Sequence, residues 1–180
     1  MYKVGIIGHS PDNFINQELS IKSVEDTIDL IHHQYGKVNY TTNIEGQPES
    51  LNNGLTINIP GEIGTGLWAG QVCFSKHIKY HLFLPFLLEM TSESWYEKQK
   101  QQLYILYGAA NSVSVQSIIF DKTLLEFAYL PIIDDSNFTV AFWEGRRQGR
   151  TYNAIKYALK NNKVVLNGTQ NLRLIINRDI

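Results

Sequence analysis

The chain holds a single cysteine, Cys73, among 180 residues. That excludes an intrachain disulfide and any cysteine-based zinc site, and it fits a reducing compartment. Long apolar runs are missing too. The opening "MYKVGIIGHS" has an apolar stretch of about five residues, too short for a signal-peptide core, and no segment approaches the roughly 20 residues of a membrane span. Nor does charge of one sign dominate: 16 Lys and Arg stand against 17 Asp and Glu, a formal net charge of -1. Such a balance provides no basic field for non-specific nucleic-acid or anionic-membrane binding, so any phosphate recognition is local. No charge-rich or Pro/Gly-rich stretch divides the chain, and 43% hydrophobic content with 12% aromatics can bury one core. The expectation is a single domain over residues 1–180, cytoplasmic, with no membrane partner and no sequence-specific nucleic-acid partner.

What is present is an alternation. "YKVGIIG" is β-branched and bounded by glycine, as a buried strand would be. Ser23, with Asp26 three residues on, reads as the N-cap of a helix that presents Val24, Ile28 and Ile31 and stops at Gly36. A strand "VNYTT" and a surface loop follow, then a strand "LTINIP", a helix "LWAGQVCFSKHI" and a strand "KYHLFLPF". "SESWYEKQKQQLYILYGAA" reads as a helix with Trp95, Leu103 and Leu106 inward, and "SVSVQSI" as a short strand. "TLLEFAYLPIIDDS" reads as a helix broken before Pro131. "FTVAFW" is a strand, "TYNAIKYALKNN" a helix, and "KVVLNGTQNLRLIIN" one or two closing strands with a hairpin turn at Asn167 and Gly168. Strands alternating with helices predict an α/β fold: a Rossmann-like, doubly wound, mainly parallel sheet with helices on both faces. Ligands of such sheets sit beyond the carboxyl ends of the strands, where the strand order reverses.

Three loops follow predicted strands: "GHSPDN", "PGEIGTG" and "WEGRRQGRT". Glycines there let a ligand approach the backbone, and helix-opening amides favour phosphate. The second loop offers Gly61, Gly64, Gly66 and the Thr65 hydroxyl, either as an anion site or as a tight turn. No lysine follows its last glycine, so it is not a P-loop. The third sets Arg146, Arg147 and Arg150 beside Gly145 and Gly149, with Thr151 as a candidate N-cap. These arginines either grip a phosphate or are solvated and paired with Glu144 or an aspartate. His9 and Ser10 follow the first strand. His32 and His33 point in different directions on their helix, and His77 and His81 have no matching carboxylates, so no metal site is expected, nor any cofactor. Asp134 and Asp135 read as a turn feature. Trp68, Trp95 and Trp143 read as core, with Trp143 also placed to stack on a base.

Taken in order, these segments resemble the SLOG superfamily, within it the YpsA-like branch, over nearly the whole chain. "VGIIGHSPDN" is similar to that branch's first strand and Gly-x-Arg-Pro turn, and "PGEIGTGLWAGQV" to its Gly-Gly-Ala-x-Gly-x-Asp-x-Trp-Ala segment. "YHLFLPF" resembles its strand ending in Leu-Pro-Phe, and "FTVAFWEGRRQGRTYNAIKYALKNNKVV" its Trp-Asp-Gly, Gly-Gly-Thr and Asn signature. The resemblance implies a nucleotide or nucleotide-derived ligand at Gly8, His9, Ser10, Gly61, Gly64, Thr65, Gly145, Gly149, Thr151 and Asn153. Departures from the pattern are Ser10 for arginine, Glu62 for alanine, Gly66 for aspartate, Arg150 for the second glycine of Gly-Gly-Thr, and Ala128 and Tyr129 for Arg-Asn. The related LOG enzymes, which release a base from a nucleoside monophosphate, carry Pro-Gly-Gly-x-Gly-Thr-x-x-Glu. Here Trp68 stands at that glutamate position, and the segment comes early in the chain.

The first expectation is a binding or sensor domain for a nucleotide-derived small molecule. Loop amides with Thr65 or Thr151 would hold phosphate, Arg146 or Arg150 would add charge, and Trp68 or Trp143 would flank the base. The alternative is an N-glycosidic hydrolase or transferase with Glu62 or Glu144 as acid-base or nucleophile. A third is a ligand-free interaction protein, the aromatic, low-charge segment "LYILYGAANSVSVQSIIF" packing a homo-oligomer.

Overall fold

A computed structural model of the chain describes residues 2–36, 39–42, 48–51 and 54–180. The run Tyr2–Gly8 forms β1 and lies between two neighbours. Strand side chains alternate between faces, so Val4 and Ile6 enter one core while Ile7 enters another across the sheet. Coverage on both faces also buries every residue of β4 (Leu55–Pro60), including polar Thr56 and Asn58, and all of β5 (Tyr80–Leu84) except the half-buried His81.

The remaining strands are β2 (Asn39–Thr42) and β3 (Pro48–Leu51), an antiparallel pair of their own, then β6 (Ser112–Val115), β7 (Phe138–Phe142), β8 (Val165–Asn167) and β9 (Arg173–Leu174). The main sheet has seven strands in the order β6-β5-β4-β1-β7-β8-β9. It is parallel throughout except for the last pair, β8 with β9. This is the Rossmann-like α/β architecture expected. On one face pack α1 (Gln17–Tyr35), α2 (Thr65–Ser75) and α4 (Glu97–Ala109), through Val24, Ile28, Leu67, Ala69, Leu103 and Leu106. On the other lie α5 (Leu130–Asp134) and α6 (Arg150–Lys160), through Ile132, Ile133, Ala154, Ile155 and Ala158. A short α3 (Leu88–Ser92) follows β5. The chain builds outward from β1 to the β6 edge, then returns to the far side of β1 as β7. Strand order therefore reverses between β1 and β7, whose ends align as Gly8 opposite Phe142.

Several local expectations change. α1 begins at Gln17, capped by the Asn16 side chain, which accepts from the Leu19 amide at 3.1 Å. Ser23 is interior, its hydroxyl donating to the Gly168 carbonyl at 2.8 Å. The helix expected across Pro131 is instead a 3-10 turn over Lys122–Phe127 followed by α5, with Pro131 in the first helical turn. There its missing N–H costs no hydrogen bond. Trp95 precedes α4 rather than lying within it. Asn167 and Gly168 make no two-residue hairpin: Asn167 caps a 3-10 turn by accepting from the Thr169 amide, and Asn171 and Leu172 carry the left-handed φ values. Of "VNYTT", Asn39–Thr42 is β2; the surface loop expected from there to Leu55 contains β3 at Pro48–Leu51 instead, and Val38, 43–47 and 52–53 lie outside the described residues. Among the described residues no helix is long and apolar enough to cross a membrane.

Two glycines make opposite predictions. A Cβ at Gly66 would strike the Pro60 carbonyl, which is backbone and cannot swing away, whereas one at Gly108 on α4 meets nothing within 4 Å. Gly66→Ala is expected to destabilise by about 3 kcal/mol and Gly108→Ala to stabilise by about 0.5–1 kcal/mol. Urea unfolding midpoints of the two variants check both signs.

Candidate functional site at the sheet's reversal point

The loop after β1 packs directly on the start of α2. Gly8 has no side chain because that of Thr65 occupies the space, and the Thr65 hydroxyl donates to the His9 carbonyl at 3.1 Å. Gly64 adopts φ 96°, and a Cβ there would meet the His9 carbonyl and the Pro11 ring at 2.8 Å. Thr65 is 1% exposed. The N-terminus of α2 is therefore sealed by the 9–11 loop. Gly64 and Thr65, expected to hold phosphate, are packed against that loop. Gly61 continues the β4–β5 ladder at the carboxyl end of β4, its amide donating to the Phe83 carbonyl at 2.7 Å.

The N-terminus of α6 is open. Gly149 is its N-cap at φ 86°, no side chain caps it, and a Cβ at Gly149 would touch nothing within 4 Å. Thr151 is not the N-cap but lies in the first turn, 2% exposed. Together with Gly8, His9, Ser10, Tyr129, Arg146 and Gln148, the start of this helix lines a cavity of about 370 Å³ between the ends of β1 and β7. His9 is 7% exposed and its Nε2 atom has no hydrogen-bond partner among the described residues. Burial first, and the Arg146 charge second, hold its pKa below the ordinary value, so the ring is neutral near pH 7. The cavity thus combines a helix dipole's positive end with an arginine, and it is lined by His9, whose Nε2 is itself buried.

Beside it lies a second cavity of about 340 Å³, lined by Gly61, Glu62, Ile63, Pro85, Phe86, Met90, Thr91, Ser94, Trp95, Phe120 and Leu125. Ser10 and Arg150 line both. The wall between them is an ion pair: Arg150 Nη1 lies 2.6 Å from Glu62 Oε1, with the two side chains 30% and 12% exposed. Glu62 Oε2 and the Gly8 carbonyl share the Tyr129 hydroxyl at 3.0 and 2.7 Å. The guanidinium also donates to the Leu125 carbonyl at 3.3 Å and sits 5.6 Å from the centre of the Tyr129 ring. Burial, then the Glu62 carboxylate, push the Tyr129 hydroxyl far up, so it stays a neutral donor. Burial alone would lower Arg150, but the Glu62 charge and Tyr129 outweigh it and the net shift is upward. Arg150 is therefore a bridge to Glu62 rather than a free phosphate clamp.

Other expected site residues lie elsewhere. Glu144 lines a separate depression with Asp12, Phe14, Ile15, Gly145 and Arg146, and its Oε2 accepts from the Ile15 amide at 3.3 Å. It does not share a cavity with Glu62. Trp68 is on α2 with its ring 5.6 Å from that of Phe14, packed on the core, and Trp143 is 3% exposed with its indole N–H on the Arg146 carbonyl at 2.8 Å. Neither lines either of these two cavities. Asn153 is exposed on α6, its amide donating to the Gly149 carbonyl, and it lines neither cavity. Tyr129, Phe86, Trp95 and Phe120 were not singled out for the site. Only the departure noted at Tyr129 marked any of them.

No protein-family model matches the chain, and no curated protein sequence matches it. Solved structures share its fold. DNA processing protein A from Streptococcus pneumoniae superposes at TM-score 0.65 with 15% identity, over 99% of this chain and 60% of that one. DNA processing protein A from Helicobacter pylori, whose structure describes a single-stranded DNA binding mode, gives 0.57 and 14%, over 92% and 64%. The protein TM1055 gives 0.51 and 12%, over 92% and 72%. The chain spans less than two thirds of either DNA processing protein. At such identities the likeness establishes the fold alone.

Arg150→Ala would leave Glu62, at 12% exposure, paired only with Tyr129, a loss expected at about 1–3 kcal/mol. With Glu62→Gln added, the double variant should lose less than the sum of the singles in urea unfolding. A second expectation concerns pH. His9 and His81 both titrate below 6.5 in the folded chain, His81 through burial while it lies 2.8 Å from Ser114 Oγ and 3.8 Å from Asp135. The unfolded chain then binds more protons, so stability falls as pH drops through and below 6.5. His9→Gln should flatten part of that slope between pH 7 and 5.5, measured as unfolding free energy.

Proposed function

We propose that the cavity at the start of α6 binds the phosphate of a nucleotide or nucleotide-derived small molecule, as a binding or sensor domain. The observation that carries this reading is His9 in the cavity lining, its buried Nε2 without a partner among the described residues, together with an uncapped helix N-terminus and Arg146. Buried polar atoms are rarely left unsatisfied, and a helix N-terminus supplies amides and a dipole to an anion. Gly8, His9, Ser10, Gly149 and Thr151 line the cavity and are positions the SLOG resemblance implies. On this reading the chain is a SLOG-type protein, with the YpsA-like branch as its finer placement.

The N-glycosidase alternative is less well supported. Both Glu62 oxygens already accept hydrogen bonds, and Glu144 faces another depression. Single-stranded DNA is named for the Helicobacter pylori structure; here a formal net charge of -1 supplies no overall basic field. A homo-oligomer remains part of the proposal, supported by the exposure of Tyr104, Ile105, Ile118 and Ile119 on and after α4.

Calorimetry with ribose 5-phosphate and with sulfate tests the reading. Arg146→Ala should weaken both by about 10-fold, the scale of one charge-assisted hydrogen bond. Sulfate does not titrate here, and a bound anion favours the His9 imidazolium, so sulfate affinity should rise as pH falls from 8 to 5.5 and His9→Gln should abolish that rise. If neither anion binds, or a single-stranded oligonucleotide binds far more tightly with a steep salt dependence, the reading fails.

A further inference from the structure

We infer that the second cavity is the base-binding half of the same site, so that the ligand is a mononucleotide lying across the Glu62–Arg150 wall. This rests on the phosphate reading of the first cavity and adds to it where the rest of the ligand goes. The two cavities share Ser10 and Arg150, so a molecule anchored by its phosphate at α6 has its remainder directed over that wall. The linings differ in kind. The first is polar, with His9, Arg146, Gln148 and Thr151, whereas the second presents Phe86, Trp95, Phe120, Met90, Pro85 and Ile63. Phe86 is 1% exposed and forms a fixed floor, while Phe120, 58% exposed, leans over it with ring centres 4.9 Å apart. An apolar, aromatic-walled space with a few polar groups suits a flat heterocycle. Its volume of about 340 Å³ admits one base with room for part of the sugar.

The polar groups fit that occupant. The Thr91 hydroxyl is committed to the Phe86 carbonyl at 2.9 Å and fixes the turn that carries the floor. Glu62, with Arg150 on one oxygen and Tyr129 on the other, keeps a further lone pair on each oxygen at the wall of the second cavity. Those lone pairs accept from ribose hydroxyls or from an amino group of the base. A carboxylate at this position disfavours a second phosphate, which sets the polarity of the ligand: anion toward α6, base toward Trp95.

Tryptophan fluorescence gives a local readout, because Trp95 lines the second cavity whereas Trp143 is 3% exposed and Trp68 packs on the core. The whole chain is titrated with adenosine 5′-monophosphate, ribose 5-phosphate and adenosine, by fluorescence and by calorimetry. The expected result is that the nucleotide binds at least about 10-fold more tightly than ribose 5-phosphate, the worth of one base stacked on an aromatic side chain. Only ligands carrying the base should change the fluorescence, and Trp95→Phe should erase that change. Phe120→Ala, a truncation at an exposed ring, should remove the nucleotide's advantage while leaving ribose 5-phosphate binding intact. Equal affinity for the nucleotide and ribose 5-phosphate, with no fluorescence change, overturns this inference and leaves the phosphate reading standing. Adenosine binding that alters Trp95 fluorescence, without any binding of ribose 5-phosphate or sulfate, overturns the phosphate reading and keeps a base site. Absence of binding by all three overturns both.

Discussion

The ion pair between Glu62 and Arg150, with Tyr129 closing it, is the contact on which the geometry of the cleft depends. It ties four separate parts of the chain at one point: the end of β1 through the Gly8 carbonyl, the loop after β4 through Glu62, the 3-10 turn through the Leu125 carbonyl, and the first residue of α6. Desolvation opposes such a pair, and only good geometry with satisfied neighbours offsets it. Here each carboxylate oxygen has a partner, and the arginine also lies against an aromatic ring. One consequence is electrostatic. Arg150 is neutralised by Glu62, so the positive character of the first cavity comes from Arg146 and the α6 amides rather than from the arginine nearest the helix.

Two helices in this fold begin after a glycine of positive φ, and their surroundings make them chemically different. At α2, Gly64 is required twice over, by its φ and by the His9 carbonyl and Pro11 ring pressed against its Cα. The Thr65 hydroxyl completes the seal. At α6, Gly149 has the same sign of φ but open space around it. A glycine-rich loop before a helix is thus no evidence of an anion site by itself; what decides is whether another loop already occupies the approach. In this chain the β1 loop covers α2, and the same loop contributes His9 and Ser10 to the lining of the cavity at the open helix.

That distinction could not be read from the sequence, and it marks where legibility ends. Strands such as Tyr2–Gly8 and Leu55–Pro60 were recognisable because each carries several β-branched residues in a short run closed by glycine or proline. The three strand-end loops were also recognisable, since strand, glycine loop and helix follow one another in order. Strand order was not. Only the return of β7 beside β1 brings "WEGRRQGRT" against "GHS", and that is a long-range packing result. Start signals misled: α1 is capped at Asn16, about two turns before the expected Ser23, and α6 at Gly149 rather than at Thr151. The tryptophans show the same ambiguity. Trp143 follows a strand beside the arginine loop, yet its indole turns into the core against Ala141 and Ile155's cluster, while Trp95 reaches a cavity wall.

The position of Glu62 bears on the choice between holding a ligand and cutting it. A mononucleotide with phosphate at α6 and base by Trp95 would carry its sugar and glycosidic bond over the Glu62–Arg150 wall. A carboxylate in that place is where an N-glycosidase would need one. Yet cleavage requires a lone pair aimed at the anomeric carbon or at a water, in a group free to change its bonding as charge develops on the sugar. Glu62 is held from both sides, by Arg150 at 2.6 Å and Tyr129 at 3.0 Å. Both contacts stabilise the carboxylate in its present orientation. On the proposed reading, a pair that stays closed would support the ligand without attacking it, so a binding role would follow from the same interaction that shapes the cleft.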